Sequence, residues 1–117
     1  MQSYRELVVW QKSMMLVKSV YILVRKLPKE EIYALSDQMR RAVISVPSNI
    51  AEGYARESSR DYVHFLSIAK GSLYELDTQI QVSIMLGFFN EEQANEALSL
   101  CDECARMLTS MIRKITI

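Results

Sequence analysis

Apolar residues along this chain fall into four stretches, each with the three-and-four spacing of a helix that buries one face. In the first, from about Tyr4 to Leu27, residues Leu7, Trp10, Met14, Val17, Tyr21 and Val24 form a heptad seam. Val9, Leu16, Val20, Leu23 and Leu27 form a second stripe beside it. Two adjacent stripes predict a wide apolar face, as in a bundle rather than a two-stranded coil. Pro28 ends this helix. The second stretch opens near Lys29-Glu30-Glu31, where acids suit the positive end of a helix dipole. Its inward seam is Ile32, Leu35, Met39, Ala42 and Val46. Tyr33, Ile44, Pro47, Ala51 and Tyr54 lie roughly behind that seam, interrupted by Asp37 and Arg40. A helix apolar on two sides must be covered on two sides, and in a short chain the second cover is expected to be another subunit. Pro47 has no backbone donor and crowds the carbonyl of Val43, which predicts a kink. Gly53 marks either the end of this helix or an opening for a close crossing.

Ser58 or Ser59 can cap the third helix. Tyr62, Phe65, Leu66, Ala69, Leu73, Leu76, Ile80 and Ile84 form its core stripe, and Ala69, Gly71 and Ser72 are small enough to admit another backbone. Gly87 ends this helix, and Asn90 caps the fourth, with Glu91 and Glu92 in its first turn. Ala94, Ala97, Leu98, Cys101, Ala105, Leu108, Ile112 and Ile115 continue the pattern, and Arg113 and Lys114 sit at its negative end. Short connections make consecutive helices antiparallel. The expected fold is therefore all-α: an up-down-up-down four-helix bundle of one domain, residues 1–117, with the second helix kinked near Pro47.

Composition agrees with this. Half of the 117 residues are hydrophobic, and three Gly with two Pro are too few for an all-β fold. No apolar run approaches the ~20 residues of a membrane span. The opening Met1-Gln2-Ser3-Tyr4-Arg5-Glu6 lacks a basic segment followed by an apolar one, so the cytoplasm is the expected location. The net charge of zero conceals an asymmetry. Residues 1–60 carry ten Lys/Arg against six Asp/Glu, and residues 61–117 carry four against eight. Such halves can attract one another within the fold or across an oligomer, and a basic half can also meet phosphates.

Candidate chemistry is sparse. Cys101-Asp102-Glu103-Cys104 is a CxxC, but zinc needs a second ligand pair and His64 is the only histidine. A redox role needs a βαβ context that the pattern lacks, so both cysteines read as core thiols. No phosphate-cradling glycine loop, HExxH or nucleophile motif occurs, so neither a cofactor, a metal nor an enzyme is expected, and no small-molecule substrate is evident. Two residue groups stand out. Gln38, Ser48, Asn49 and Glu52, with Arg41 and Ser45, recur along the edge of the second helix, where Ser72 and Glu75 can meet them in a hydrogen-bonded network that fixes register. The cations Arg40, Arg41, Arg56 and Arg60, extended by Lys12, Lys18, Arg25 and Lys26, are candidates for contact with phosphates or a partner.

Four motifs occur in order across nearly the whole chain: Leu7-Val8-Val9-Trp10-Gln11-Lys12, Gln38-Met39-Arg40-Arg41-Ala42, Ser48-Asn49-Ile50-Ala51-Glu52-Gly53 and Ala69-Lys70-Gly71-Ser72-Leu73-Tyr74-Glu75-Leu76. Together they resemble the four-helix-bundle proteins encoded in intervening sequences of bacterial 23S ribosomal RNA genes. The resemblance implies a small bacterial bundle that assembles into a ring, a pentamer. That family is similar to the accessory variability determinant of diversity-generating retroelements, a basic ring-shaped partner of a reverse transcriptase and of nucleic acid. The resemblance implies Arg40, Arg41 and Arg56 as contacts to nucleic acid or a partner. The expected function is a non-enzymatic homo-oligomeric bundle binding RNA or a nucleoprotein through a basic surface. The alternative is a pure protein-interaction scaffold or adaptor.

Overall fold

The computed structural model describes residues 3–116, so Met1, Gln2 and Ile117 lie outside the described residues. Four helices carry the fold: α1 (Val8–Val24), α2 (Leu35–Tyr54), α3 (Ser59–Met85) and α4 (Glu91–Thr116). Single 3-10 turns occupy Tyr4–Glu6 and Lys29–Glu31, and there is no strand among the described residues. The all-α, four-helix class expected from the periodicity is the one observed. Both α1 and α3 pack against α2 and α4, and the four enclose one apolar core.

Of the wide apolar face expected on α1, the second stripe is buried throughout, and from the heptad seam Val24 is buried while Leu7, Trp10 and Val17 pack against the core. The buried stripe is Val9, Leu16, Val20 and Leu23, with Leu27 just beyond the helix, while Met14 and Tyr21 are 44% and 38% exposed. Both stripes are apolar, so apolar spacing could not rank them. Ser13 and Ser19 break the tie: both are buried among the second stripe, and Ser13 satisfies its hydroxyl by donating to the Trp10 carbonyl at 2.7 Å. Small side chains there let neighbouring helices approach. The helix also starts later than expected, because Ser3 caps a separate 3-10 turn and Leu7 is extended.

The second helix likewise begins late. Lys29–Glu31 form their own 3-10 turn, α2 starts at Leu35, and Ile32 is 48% exposed rather than part of the seam. Met39, Ala42 and Val46 are buried as expected. Pro47 lies inside the continuous α2 and is buried, not on an outward back face. Of the residues read as that back face, Tyr33 precedes the helix and faces solvent, Ala51 and Tyr54 are half-buried, and only Ile44 is an exposed apolar residue within it. The larger outward apolar surface belongs to α1.

The contact between α2 and α3 is the most intimate in the fold. Met39 meets Ser83, whose hydroxyl lies 3.8 Å from the sulfur; Ser45 meets Ser72 at 2.9 Å. A Cβ on Gly53 would stand 2.8 Å from the Phe65 Cβ and 3.3 Å from the Tyr62 carbonyl oxygen. These pairs step up one helix and down the other. The close approach falls at Gly53, whereas Gly71, expected to serve this purpose, has nothing within 4 Å of its would-be Cβ.

The ends of α3 and the start of α4 follow the expected chemistry. Ser58 accepts from the Asp61 N–H at 3.1 Å. Gly87, at φ 81°, closes α3: its N–H donates to the Ile84 carbonyl, and the Phe88 N–H donates to that of Ser83. Asn90 and Gln93 cap α4 reciprocally, the Gln93 N–H donating to Asn90 Oδ1 at 2.8 Å and the Asn90 N–H to Gln93 Oε1 at 3.0 Å.

The two helical glycines should therefore respond oppositely to alanine. Gly53→Ala should lower urea-unfolding stability by about 1–3 kcal/mol through overpacking. Gly71→Ala, in open space, should raise it by roughly 0.5–1 kcal/mol through helix propensity.

Candidate functional site

The fold separates the basic residues that the sequence groups together. Arg40 and Arg41 diverge. Arg41 reaches solvent, its side chain 79% exposed, with its Nε 3.0 Å from an Asp37 carboxylate oxygen one turn back. Arg40 is half-buried beside α1, its guanidinium directed at the Ile32 carbonyl at a long 3.5 Å. Arg56 is engaged twice, by Glu52 at 2.6 Å and by the face of Phe65 at 4.7 Å. Lys12 of α1 reaches Glu103 of α4 at 3.5 Å. Lys18 and Arg60 are exposed and belong to no ion pair among the described residues. Of the four ion pairs seen among the described residues, only Lys12–Glu103 joins the basic half of the chain to the acidic half.

The polar group on α2 also divides. Asn49 donates to the Ser45 carbonyl at 2.8 Å and to its hydroxyl at 2.9 Å, and that hydroxyl meets Ser72. This chain of three side chains joins α2 to α3 beside the core. Gln38, Ser48 and Glu75 are exposed and their side chains make no hydrogen bond among the described residues; Glu52 is taken by Arg56. The seven side chains do not gather into one cluster.

A concave site missed by sequence reasoning lies where α1 turns into α2. It is a cavity of about 320 Å³ lined by Tyr21, Val24, Arg25, Leu27, Pro28, Lys29, Ile32, Ser36 and Arg40. Three cations, the Ser36 hydroxyl and the phenol of Tyr21 thus border an otherwise mostly apolar hollow. The available signal was the absence of a capping residue: Ala34 occupies the N-cap of α2 and offers no side-chain oxygen.

Residues 5–110 match the family described as 23S rRNA-intervening sequence protein. The chain belongs to that family. No curated protein matches the chain. A crystal structure of a protein of unknown function from the S23 ribosomal protein family of Bacteroides thetaiotaomicron VPI-5482 has the same fold, with a TM-score of 0.83. It is 24% identical, over 90% of this chain and 98% of that one.

In this member of the 23S rRNA-intervening sequence protein family, no cluster of three or more metal-ligating side chains occurs among the described residues. Nor is any helix long and apolar enough to cross a membrane. His64 is exposed, its ring edge-on to Phe65 at 5.4 Å. Cys101 and Cys104 are free and buried. Burial, with a smaller contribution from the Asp77 carboxylate, pushes the Cys101 thiol up to about 12; burial, with Glu103, pushes Cys104 up to about 11. Both are therefore neutral, poor nucleophiles at physiological pH.

These thiols link stability to alkaline pH. The folded chain holds their protons more tightly than the unfolded chain, so their contribution is complete below about pH 8.5, the ordinary cysteine range. It is lost as pH rises towards 11–12. Urea midpoints should fall between roughly pH 9 and pH 11, and Cys101→Ala with Cys104→Ala should flatten that fall. A midpoint slope identical in the double variant would contradict this reading.

Proposed function

We propose that this protein is a non-enzymatic, homo-oligomeric helical module that assembles through the outer face of α1. The observation that supports it is a stripe of half-exposed apolar side chains. Val8, Met15 and Ile22 follow one another at seven-residue intervals and are 52%, 50% and 47% exposed, with Met14 beside them at 44%. The opposite face of the same helix is core, so α1 is apolar nearly all round, a pattern that belongs to a helix covered on both sides. The exposed side chains of Gln11 and Lys18 run alongside this stripe, between it and Met14. A ring of five copies is the stoichiometry that the family resemblance implies.

Met15→Glu with Ile22→Glu should leave helical content and monomer stability nearly unchanged, because both sites are exposed in the single chain. The same pair should weaken assembly at least tenfold, read as a shift to the single-chain mass in light scattering. Unchanged assembly would remove α1 from the interface.

RNA or nucleoprotein contact is the second reading, and the exposed cations favour it. Arg41 stays largely in solvent despite its partner, and Arg60 has no ion pair among the described residues. Exposed pairs such as Arg41–Asp37 hold a side chain by only about 0–1 kcal/mol, which a phosphate can outcompete. Arg41→Glu with Arg60→Glu should weaken retention of structured RNA and reduce the salt slope of log K by about 2, measured in assemblies of unchanged mass. An unchanged slope, or no retention at low salt, would leave the scaffold reading without nucleic acid.

A further inference from the structure

We infer that the cavity between α1 and α2 is a binding site for a phosphate monoester. Four observations meet there. First, Arg25, Lys29 and Arg40 border it, and none of the three belongs to an ion pair among the described residues. Second, the cavity lies at the N-terminal end of α2, a 20-residue helix whose N-cap, Ala34, supplies no side-chain acceptor. The N–H groups of Leu35, Ser36 and Asp37 accordingly donate no hydrogen bond among the described residues. Unfilled donors at a helix start carry partial positive charge and hold anions.

Third, Ser36 lines the same cavity, is only 4% exposed, and its hydroxyl has no hydrogen-bond partner among the described residues. Gln79 Oε1 is the sole fully buried side-chain atom without a partner among the described residues, so the Ser36 oxygen keeps contact with solvent and is free to donate to a ligand in the hollow. Fourth, no acid lines the cavity. Asp37, the acid in the first turn of α2, is held by Arg41, and neither Glu30 nor Glu31 of the adjoining turn borders the cavity.

The size and lining select the ligand class. About 320 Å³ is at the small end of the range for small-molecule sites. A phosphate monoester carries roughly two negative charges at neutral pH and three acceptor oxygens. That matches three cations, a helix start and a hydroxyl better than the single charge of an internal phosphodiester. Tyr21 and Ile32 supply an apolar wall for the group to which the phosphate is attached. The monoester can be a free metabolite or the 5′ end of an RNA chain; the chemistry is shared.

Titration of 15N-labelled protein tests this. Inorganic phosphate and adenosine 5′-monophosphate should each shift the Leu35, Ser36 and Asp37 amide resonances saturably, and adenosine should not. Arg25→Gln with Lys29→Gln, both exposed, should weaken the effect at least tenfold. Ser36→Ala should weaken it severalfold with the spectrum otherwise retained. Competition by a 5′-phosphorylated oligonucleotide, but not its 5′-hydroxyl form, would identify the chain end as the source. A monoester that only the free nucleotide satisfies would identify a metabolite. Absence of a saturable shift at millimolar phosphate and nucleotide, equal affinity in the double variant, or equal binding of adenosine would each overturn the proposal. None of these outcomes depends on Arg41 or Arg60, so the RNA reading fails or stands separately.

Discussion

The close packing of α2 against α3 is the constraint on which the remaining structure depends. At one end Gly53 lets the two backbones approach to a distance at which a Cβ would collide with Phe65. At mid-length Ser45, Ser72 and Asn49 link through hydrogen bonds. At the other end Met39 and Ser83 meet in the core. Small or hydrogen-bonded side chains at three heights fix the register, because a slip would leave hydroxyls unpaired and drive Phe65 into the α2 backbone. With that pair set, α1 and α4 close the core from the other side. The buried Pro47 fits the same geometry: it packs in the core face of α2 instead of pointing away from it.

Much of the fold was legible because helix ends and breaks carry local chemistry. Ser58, Gly87 and Asn90 act where their types say they should. The core stripe of α4 was legible for a different reason: polar residues flank it, whereas α3 carries Ile68, Tyr74 and Met85 on its outer side as well as its core stripe. On α1 that contrast fails. Apolar residues surround the helix, and choosing the inner stripe required knowing that Ser13 and Ser19 are buried, which no propensity states. The same excess that blurs the pattern leaves Val8, Met15 and Ile22 at the surface.

The candidate site was less legible, since its residues come from two helices and the turn between them. Arg40 and Arg41 are neighbours in sequence but about 100° apart around a helix, so one joins a cavity and the other meets solvent. Spacing revealed the Asn49–Ser45–Ser72 chain only in part, because Gln38 lies two turns before Ser45 along α2, while Ser48 and Glu75 sit on the solvent side of their helices. The charge asymmetry between halves proved a weak guide to contacts. Of the four ion pairs among the described residues, three join residues four apart in sequence, which meet whatever the rest of the fold.

In the proposed assembly, the inner face of α1 is covered by its own chain and the outer face by a second copy. The most direct test is a photo-crosslinking amino acid at position 15, the middle of the outward stripe. The proposed assembly should give efficient capture of a second copy at micromolar concentration, with the adduct lost when position 22 carries glutamate. A protein that is crosslinked to nothing from position 15, while remaining folded and at the same concentration, would contradict it.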